Sequence, residues 1–105
     1  MIRHKFGAKQ TIRDGIKFPS KLEASYYDHL QLLIRAGEVL FFLRQTPIHL
    51  TGGVKYVVDF QVFYTDGSVK FIDTKGKETR AFIDKKKMVE SLYPVEITVV
   101  KRGEF

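Results

Sequence analysis

Lys55-Tyr56-Val57-Val58-Asp59-Phe60-Gln61-Val62-Phe63-Tyr64-Thr65-Asp66-Gly67-Ser68-Val69-Lys70-Phe71-Ile72-Asp73-Thr74-Lys75 reads as two β-strands closed on an Asp-Gly turn, and its register decides the fold. Apolar residues stand on both faces, Val57 and Phe63 against Val58, Phe60 and Val62, so the hairpin is expected to be buried on two sides. Positions 59 and 73 are symmetric about 66. They oppose each other if the loop is Thr65-Asp66-Gly67 with Gly67 in the left-handed conformation; a two-residue loop would instead pair Asp59 with Thr74. The three-residue loop places Asp59, Asp73 and Lys75 on one face, with the Cβ atoms of the opposed pair about 4.5–5.5 Å apart.

Aspartate is disfavoured in the middle of a strand, and here two aspartates interrupt apolar runs, a local conflict of the kind that marks functional sites. Opposed carboxylates repel. A hard, oxygen-liganded cation between them, Mg²⁺ or Mn²⁺, removes the repulsion, so a metal is the implied cofactor. Two residues beyond Asp73, Lys75 returns to the same face, where its ammonium can hold an attacking water or stabilise charge growing on a phosphoryl group. The competing reading makes the three residues cross-strand salt bridges on a solvated face. His4, His29 and His49 are scattered without ligand spacing, and no other side chain suggests a nucleophile.

Working outward, the rest of the chain alternates strands and helices without repeat, linker or low-complexity stretch. Lys9 to Phe18 reads as a short hairpin around Arg13-Asp14-Gly15, in a basic arm that also carries Arg3, Lys5 and Lys17. A helix is expected from Lys21 to Ala36, with Ser20 as N-cap, Gly37 as the stop, and Leu22, Tyr26, Leu30, Leu33 and Ile34 at helical spacing. Glu38 to Leu50 reads as a strand broken near Pro47, and Gly52-Gly53 turns the chain into the central hairpin. A second helix from Thr79 to Tyr93 is stopped by Pro94, and Val95 to Lys101 alternates as a last strand. The order is hairpin, α, β, β, β, α, β: an α/β fold with a mixed central sheet between two helices.

With 105 residues the chain is expected to form one domain, 1–105, whose site shares residues with its core. No run approaches the roughly 18 apolar residues of a membrane span. The start, Met-Ile-Arg-His-Lys-Phe, lacks the apolar stretch of a signal peptide, so a cytoplasmic location without membrane association is expected. The lack of cysteine excludes disulfides, thiol catalysis and thiolate metal sites. Eighteen Lys and Arg against twelve Asp and Glu give a net charge of +6, which favours a polyanionic partner such as nucleic acid.

Glu23, Asp59 and Asp73-Thr74-Lys75-Gly76, in order on helix, strand and strand, resemble the motifs of the PD-(D/E)xK nuclease superfamily. Phe18-Pro19-Ser20-Lys21-Leu22-Glu23-Ala24, Leu43-Arg44-Gln45-Thr46-Pro47, Ile72-Asp73-Thr74-Lys75-Gly76-Lys77 and the stretch from Lys85-Lys86-Lys87-Met88 to Tyr93-Pro94 look like its compact, Holliday junction resolvase-like branch of phage and prophage genomes. The likeness runs from about Phe6 to Val100, although Val58 stands where the superfamily's name has proline and Asp73 fills the D/E slot. It implies a restriction-endonuclease-like αβββαβ core and a Mg²⁺-dependent endodeoxyribonuclease, with Mn²⁺ as substitute. Glu23, Asp59 and Asp73 would be metal ligands and Lys75 the catalytic lysine. Lys77, Arg80, Lys85, Lys86 and Lys87 would meet DNA phosphates.

Two residues carry more than one reading. Ser20 and Glu23 have capping-box spacing, in which the glutamate bonds back to the Ser20 amide, yet Glu23 also lies next to the apolar face of Tyr27, Leu30 and Ile34 and can turn towards the sheet. Gln45 is a candidate for supporting the site or touching phosphate. Lys85, Lys86 and Lys87 cannot be equally solvated, since helical spacing from Phe82 through Val89 to Tyr93 puts Lys86 near the packed face. Specificity on so small a surface would come from DNA shape, from homodimerisation, or from a partner in phage replication, recombination or packaging. Branched DNA is one candidate substrate. The rival readings are a catalytically silent DNA-binding or assembly subunit and an RNA-directed nuclease.

Overall fold

The computed structural model describes residues 11–105. Arg3, Lys5 and Lys9 of the expected basic arm, and His4, lie outside the described residues. Thr11–Arg13 (β1) and Ile16–Phe18 (β2) pair antiparallel across Asp14-Gly15 as a separate hairpin. Helix Lys21–Arg35 (α1) follows, then strands Val39–His49 (β3), Lys55–Tyr64 (β4) and Val69–Thr74 (β5), helix Arg80–Leu92 (α2) and strand Ile97–Val100 (β6). Strands β3 to β6 form one mixed sheet in sequence order: β3, β4 and β5 run antiparallel and β6 lies parallel to β5, with α2 as the crossover.

Helix α1 begins where Ser20 Oγ accepts the Glu23 N–H at 3.0 Å. It ends in a Schellman motif, in which Gly37, at φ 78°, donates to Ile34 O and Glu38 donates to Leu33 O. Helix α2 is capped by Thr79, whose Oγ1 accepts the Phe82 N–H at 3.2 Å. Both helices bury one stripe. Tyr26, Tyr27 and Leu30 pack with Phe18, Phe60, Val62, Ile72 and Val100 on one side of the sheet, while Phe82 and Val89 of α2 pack with Tyr56, Val58, Leu50 and Ile97 on the other. Phe60 is fully buried with the Tyr26 and Phe42 rings against it, so Phe60→Ala should cost about 3–5 kcal/mol, read as a lowered denaturation midpoint with unchanged slope.

The central hairpin takes the symmetric register. Phe60 pairs with Ile72 and Phe63 with Val69, the loop is Thr65-Asp66-Gly67, Gly67 sits at φ 92°, and its N–H donates to Tyr64 O. Burial on two sides comes about differently from the expected alternation. Tyr56, Val58, Phe60 and Val62 are all buried, yet the first two pack on the α2 side and the last two on the α1 side, while Val57 stays 41% exposed. The β3–β4 ribbon therefore turns over between Val58 and Phe60. Its pivot is the Gln45/Asp59 position, missing from a register that is continuous from Phe41 to His49 on either side of it, where Gln45 takes φ 53°.

Pro47 does not break β3; it pairs with Val57. As the sheet's edge, β3 can carry a residue without an N–H when that position faces away from the neighbouring strand. The irregularities of β3 are the bulge between Val39 and Phe41 and the strained Gln45. No helix among the described residues is long and apolar enough to cross a membrane.

Candidate active site

Past Phe60 and Ile72 the ladder between β4 and β5 stops, because β4 turns over while β5 continues beside β6, with Lys75 N–H donating to Val100 O. Side chains close the fork. Asp59 N–H donates to Asp73 Oδ1 at 2.9 Å, and Asp59 Oδ2 accepts from Thr74 N–H at 2.9 Å and from Thr74 Oγ1 at 3.0 Å. Each aspartate thus satisfies backbone that the ladder no longer pairs.

Glu23 reaches the fork from α1. It is 3% exposed, and its carboxylate turns to the sheet, where Oε2 accepts from Gln45 Nε2 at 3.0 Å and from Arg44 Nη2 at 3.2 Å. Of the two readings left open by the capping-box spacing, the N–H half of the box is present through Ser20, while the side chain serves the sheet. Gln45 Nε2 also stands 3.5 Å from Asp59 Oδ1, so one amide group links Glu23 to Asp59. A non-glycine residue at positive φ costs on the order of 1–3 kcal/mol and persists where its surroundings enforce it. Here the strain places that amide between two carboxylates.

Electrostatics differ from the expected Asp59–Asp73 repulsion. Burial raises the Asp73 pKa, opposed by the hydrogen bond from the Asp59 amide and by the charge of Lys75. Glu23 is also raised, first by burial and then by the negative charge of Asp59, with Arg44 and Gln45 pulling it down. The like-charge contact is Glu23–Asp59. It follows from geometry, since Asp73 meets an amide of residue 59 rather than its carboxylate.

Arg44 was not foreseen as part of the site. Its guanidinium lies 4.3 Å from the centre of the Phe18 ring and pairs with Glu23, while its Nε is buried without a hydrogen-bond partner among the described residues. An arginine in an apolar strand was the available signal. In EDTA, Arg44→Met should push the Glu23 pKa higher still and lower stability at neutral pH. A carboxyl whose folded pKa is raised contributes stability below its unfolded pKa and loses it as pH rises through the folded value, so the deficit should shrink on acidification towards pH 4. Thermal unfolding across pH, with a carbon NMR titration of Glu23, checks this.

Lys75 is half-buried, and its ammonium lies 4.7 Å from the centre of the Phe82 ring. No ion pair among the described residues joins it to Asp59 or Asp73, contrary to the salt-bridge reading. Lys85 and Lys87 are exposed on α2, while half-buried Lys86 pairs with Glu90 at 3.2 Å, in line with the uneven solvation expected of the three lysines. Lys77 is exposed, and exposed Arg80 pairs with Asp84 one turn on, at 3.3 Å.

Among the described residues no three His, Cys, Asp or Glu side chains stand as a ready-made metal cage. Asp59 and Asp73 are engaged by hydrogen bonds at the fork instead. The donor chemistry nevertheless suits a hard cation: every candidate ligand is a carboxylate oxygen, and Glu23 and Asp73 are buried at a cost that a divalent ion would offset.

One protein family matches the chain over residues 3–103, described as "Protein of unknown function (DUF1064)". The chain belongs to that family. No curated protein and no solved structure matches it.

Proposed function

We propose that this member of the family is a divalent-metal-dependent DNA endonuclease, with Glu23, Asp59, Asp73 and Lys75 as its site and a restriction-endonuclease-like core. The observation that carries the reading is the fork. Three acidic side chains converge where β4 and β5 part, and a lysine two residues beyond Asp73 has no carboxylate partner among the described residues. Burial raises the pKa of both Glu23 and Asp73 despite their hydrogen-bond partners, and such a costly acidic cluster is understood more readily as chemistry than as scaffold.

Glu23, Asp59 and Asp73 would hold Mg²⁺, or Mn²⁺ in its place. Bound there, the ion supplies charge neutralisation at a phosphoryl oxygen and acidifies a water. The chain's own groups do the rest. Gln45 and Arg44 orient Glu23, Thr74 orients Asp59, and the Asp59 amide orients Asp73, so the carboxylates are aimed before substrate arrives. The Lys75 ammonium provides positive charge where the phosphorus gains a fifth oxygen. Water oxygen bonds to phosphorus, the bond to one ester oxygen breaks, and the products are a phosphate monoester and a hydroxyl. The superfamily resemblance puts that phosphate on the 5′ end.

Nicking of a supercoiled plasmid in Mg²⁺, Mn²⁺ and EDTA, with Asp73→Asn alongside, tests the proposal. The expected result is metal-dependent nicking by the natural protein only. Binding without nicking in either metal would favour the silent DNA-binding subunit. Digestion of matched DNA and RNA duplexes separates the RNA-directed alternative.

A further inference from the structure

Beside the fork, on the α2 side, lies a pocket of 350 Å³ lined by Lys55, Tyr56, Val57, Lys75, Ala81, Phe82 and Lys85. Three lysines from three separate elements converge on it: the start of β4, the segment just after β5 and the middle of α2. Among the described residues none of the three has a carboxylate within ion-pair range. Three cationic side chains thus line one pocket without an ion pair among the described residues, which suits an anion from outside the chain.

Two further features of the wall have the same sign. The first turn of α2 contributes Ala81 and Phe82, placing the positive end of a 13-residue helix beside the lysines. Thr79 caps the Phe82 N–H, which leaves earlier amides of that turn to other acceptors. Tyr56 is 5% exposed, and its hydroxyl is buried with no hydrogen-bond partner among the described residues. Tyr56 lines the pocket, and its buried hydroxyl is a donor still lacking an acceptor.

We infer that this pocket is a phosphate site, built by Lys55, Lys75, Lys85 and the first turn of α2, that holds a nucleic-acid phosphate next to the one under attack. Lysines act as point charges on phosphate and helix N-termini supply directed amides, so the pocket suits a multiply charged oxyanion such as phosphate. Its assignment to nucleic acid rests on the proposed function; phosphate binding itself does not. Lys75 belongs to both sites, which would couple the seating of one phosphate to the position of the other.

The test uses the full chain in EDTA. Inorganic phosphate is titrated while backbone amide signals are followed by NMR, for the natural protein and for a Lys55→Ala/Lys85→Ala double variant. Both substituted residues are exposed, so folding should be unaffected. The expected result is saturable shifts at residues 55–57 and 80–82, with affinity lowered on the order of tenfold or more in the variant. DNA binding should lose about one unit of salt slope, as for one phosphate. A loss of about two units would mean dispersed surface charge and would overturn the pocket.

Equal affinity for 5′-hydroxyl and 5′-phosphoryl duplexes identifies the bound group as an internal phosphodiester; a 5′-phosphoryl preference that the variant loses identifies a terminal phosphate. DNA cleavage by the natural protein, with DNA affinity and salt slope unchanged in the variant, overturns the pocket and leaves the proposed function standing. Saturable phosphate shifts in a protein that cuts no nucleic acid support the pocket and remove the nuclease.

Discussion

Asp73→Asn should abolish metal-dependent cleavage and, in the metal-free protein at neutral pH, raise the melting temperature. The two effects share one cause. Asp73 is 2% exposed, and burial holds its pKa above the usual carboxylate value. A group raised in the folded state stabilises below its unfolded pKa and loses that contribution as pH climbs through the folded pKa, so at pH 7 the natural protein bears the full cost of a buried charge. Asparagine removes the charge and keeps an oxygen for the Asp59 amide. Each kcal/mol recovered corresponds to about 4–8 °C in a domain of this size. Near pH 4 and below, the two proteins should converge as Asp73 itself becomes protonated. Adding Mg²⁺ should then stabilise the natural protein and leave the variant unmoved, since only a ligand that binds the folded state raises its stability. Calorimetric melting at pH 4 and pH 7, with and without Mg²⁺, covers all of these outcomes.

Lys75→Ala should lower the single-turnover cleavage rate on the order of 10²-fold or more, by comparison with loss of a single oxyanion donor. DNA affinity should fall far less. The ammonium sits over the Phe82 ring with no carboxylate partner among the described residues, so the variant loses about 0.5–1 kcal/mol of cation–π contact but no ion pair. One phosphate contact changes the salt slope of binding by about one unit, whereas the chemical step loses a charge that counts mainly while the bond breaks. Near-normal rates in saturating metal would remove Lys75 from the chemistry and leave it a packing group on α2.

The hairpin register was legible because a single residue, Gly67, accepts the backbone that a three-residue loop demands, and the symmetry about Asp66 did the rest. The helices were legible to within a residue at each end, from Ser20, Thr79, Gly37 and Pro94 together with their apolar stripes. The turnover of the β3–β4 ribbon was not. Period-2 reading assigns Tyr56, Val58, Phe60 and Val62 to one face, and nothing in residue types announces that the strand rotates at Asp59 so that one parity serves both helices. Pro47 looked like a break because its place on the edge strand depends on the whole sheet order. Glu23, Asp59 and Asp73 were singled out through pattern and resemblance and meet at the fork, while the contacts of Arg44 and Thr74 and the unpaired hydroxyl of Tyr56 were not anticipated. Their importance comes from contacts made 15 to 21 positions away, or from a hydroxyl left unpaired, which local spacing does not encode.

Every catalytic role assigned to the fork depends on a divalent cation settling among Glu23, Asp59 and Asp73. A Mn²⁺ titration followed by paramagnetic broadening of amide signals asks this without any substrate. The expected result is one Mn²⁺ per chain, with broadening centred on residues 23, 59, 73 and 74 and abolished in Asp73→Asn. Broadening spread over exposed carboxylates such as Asp66 and Glu104, or the same at the fork in Asp73→Asn, would contradict it.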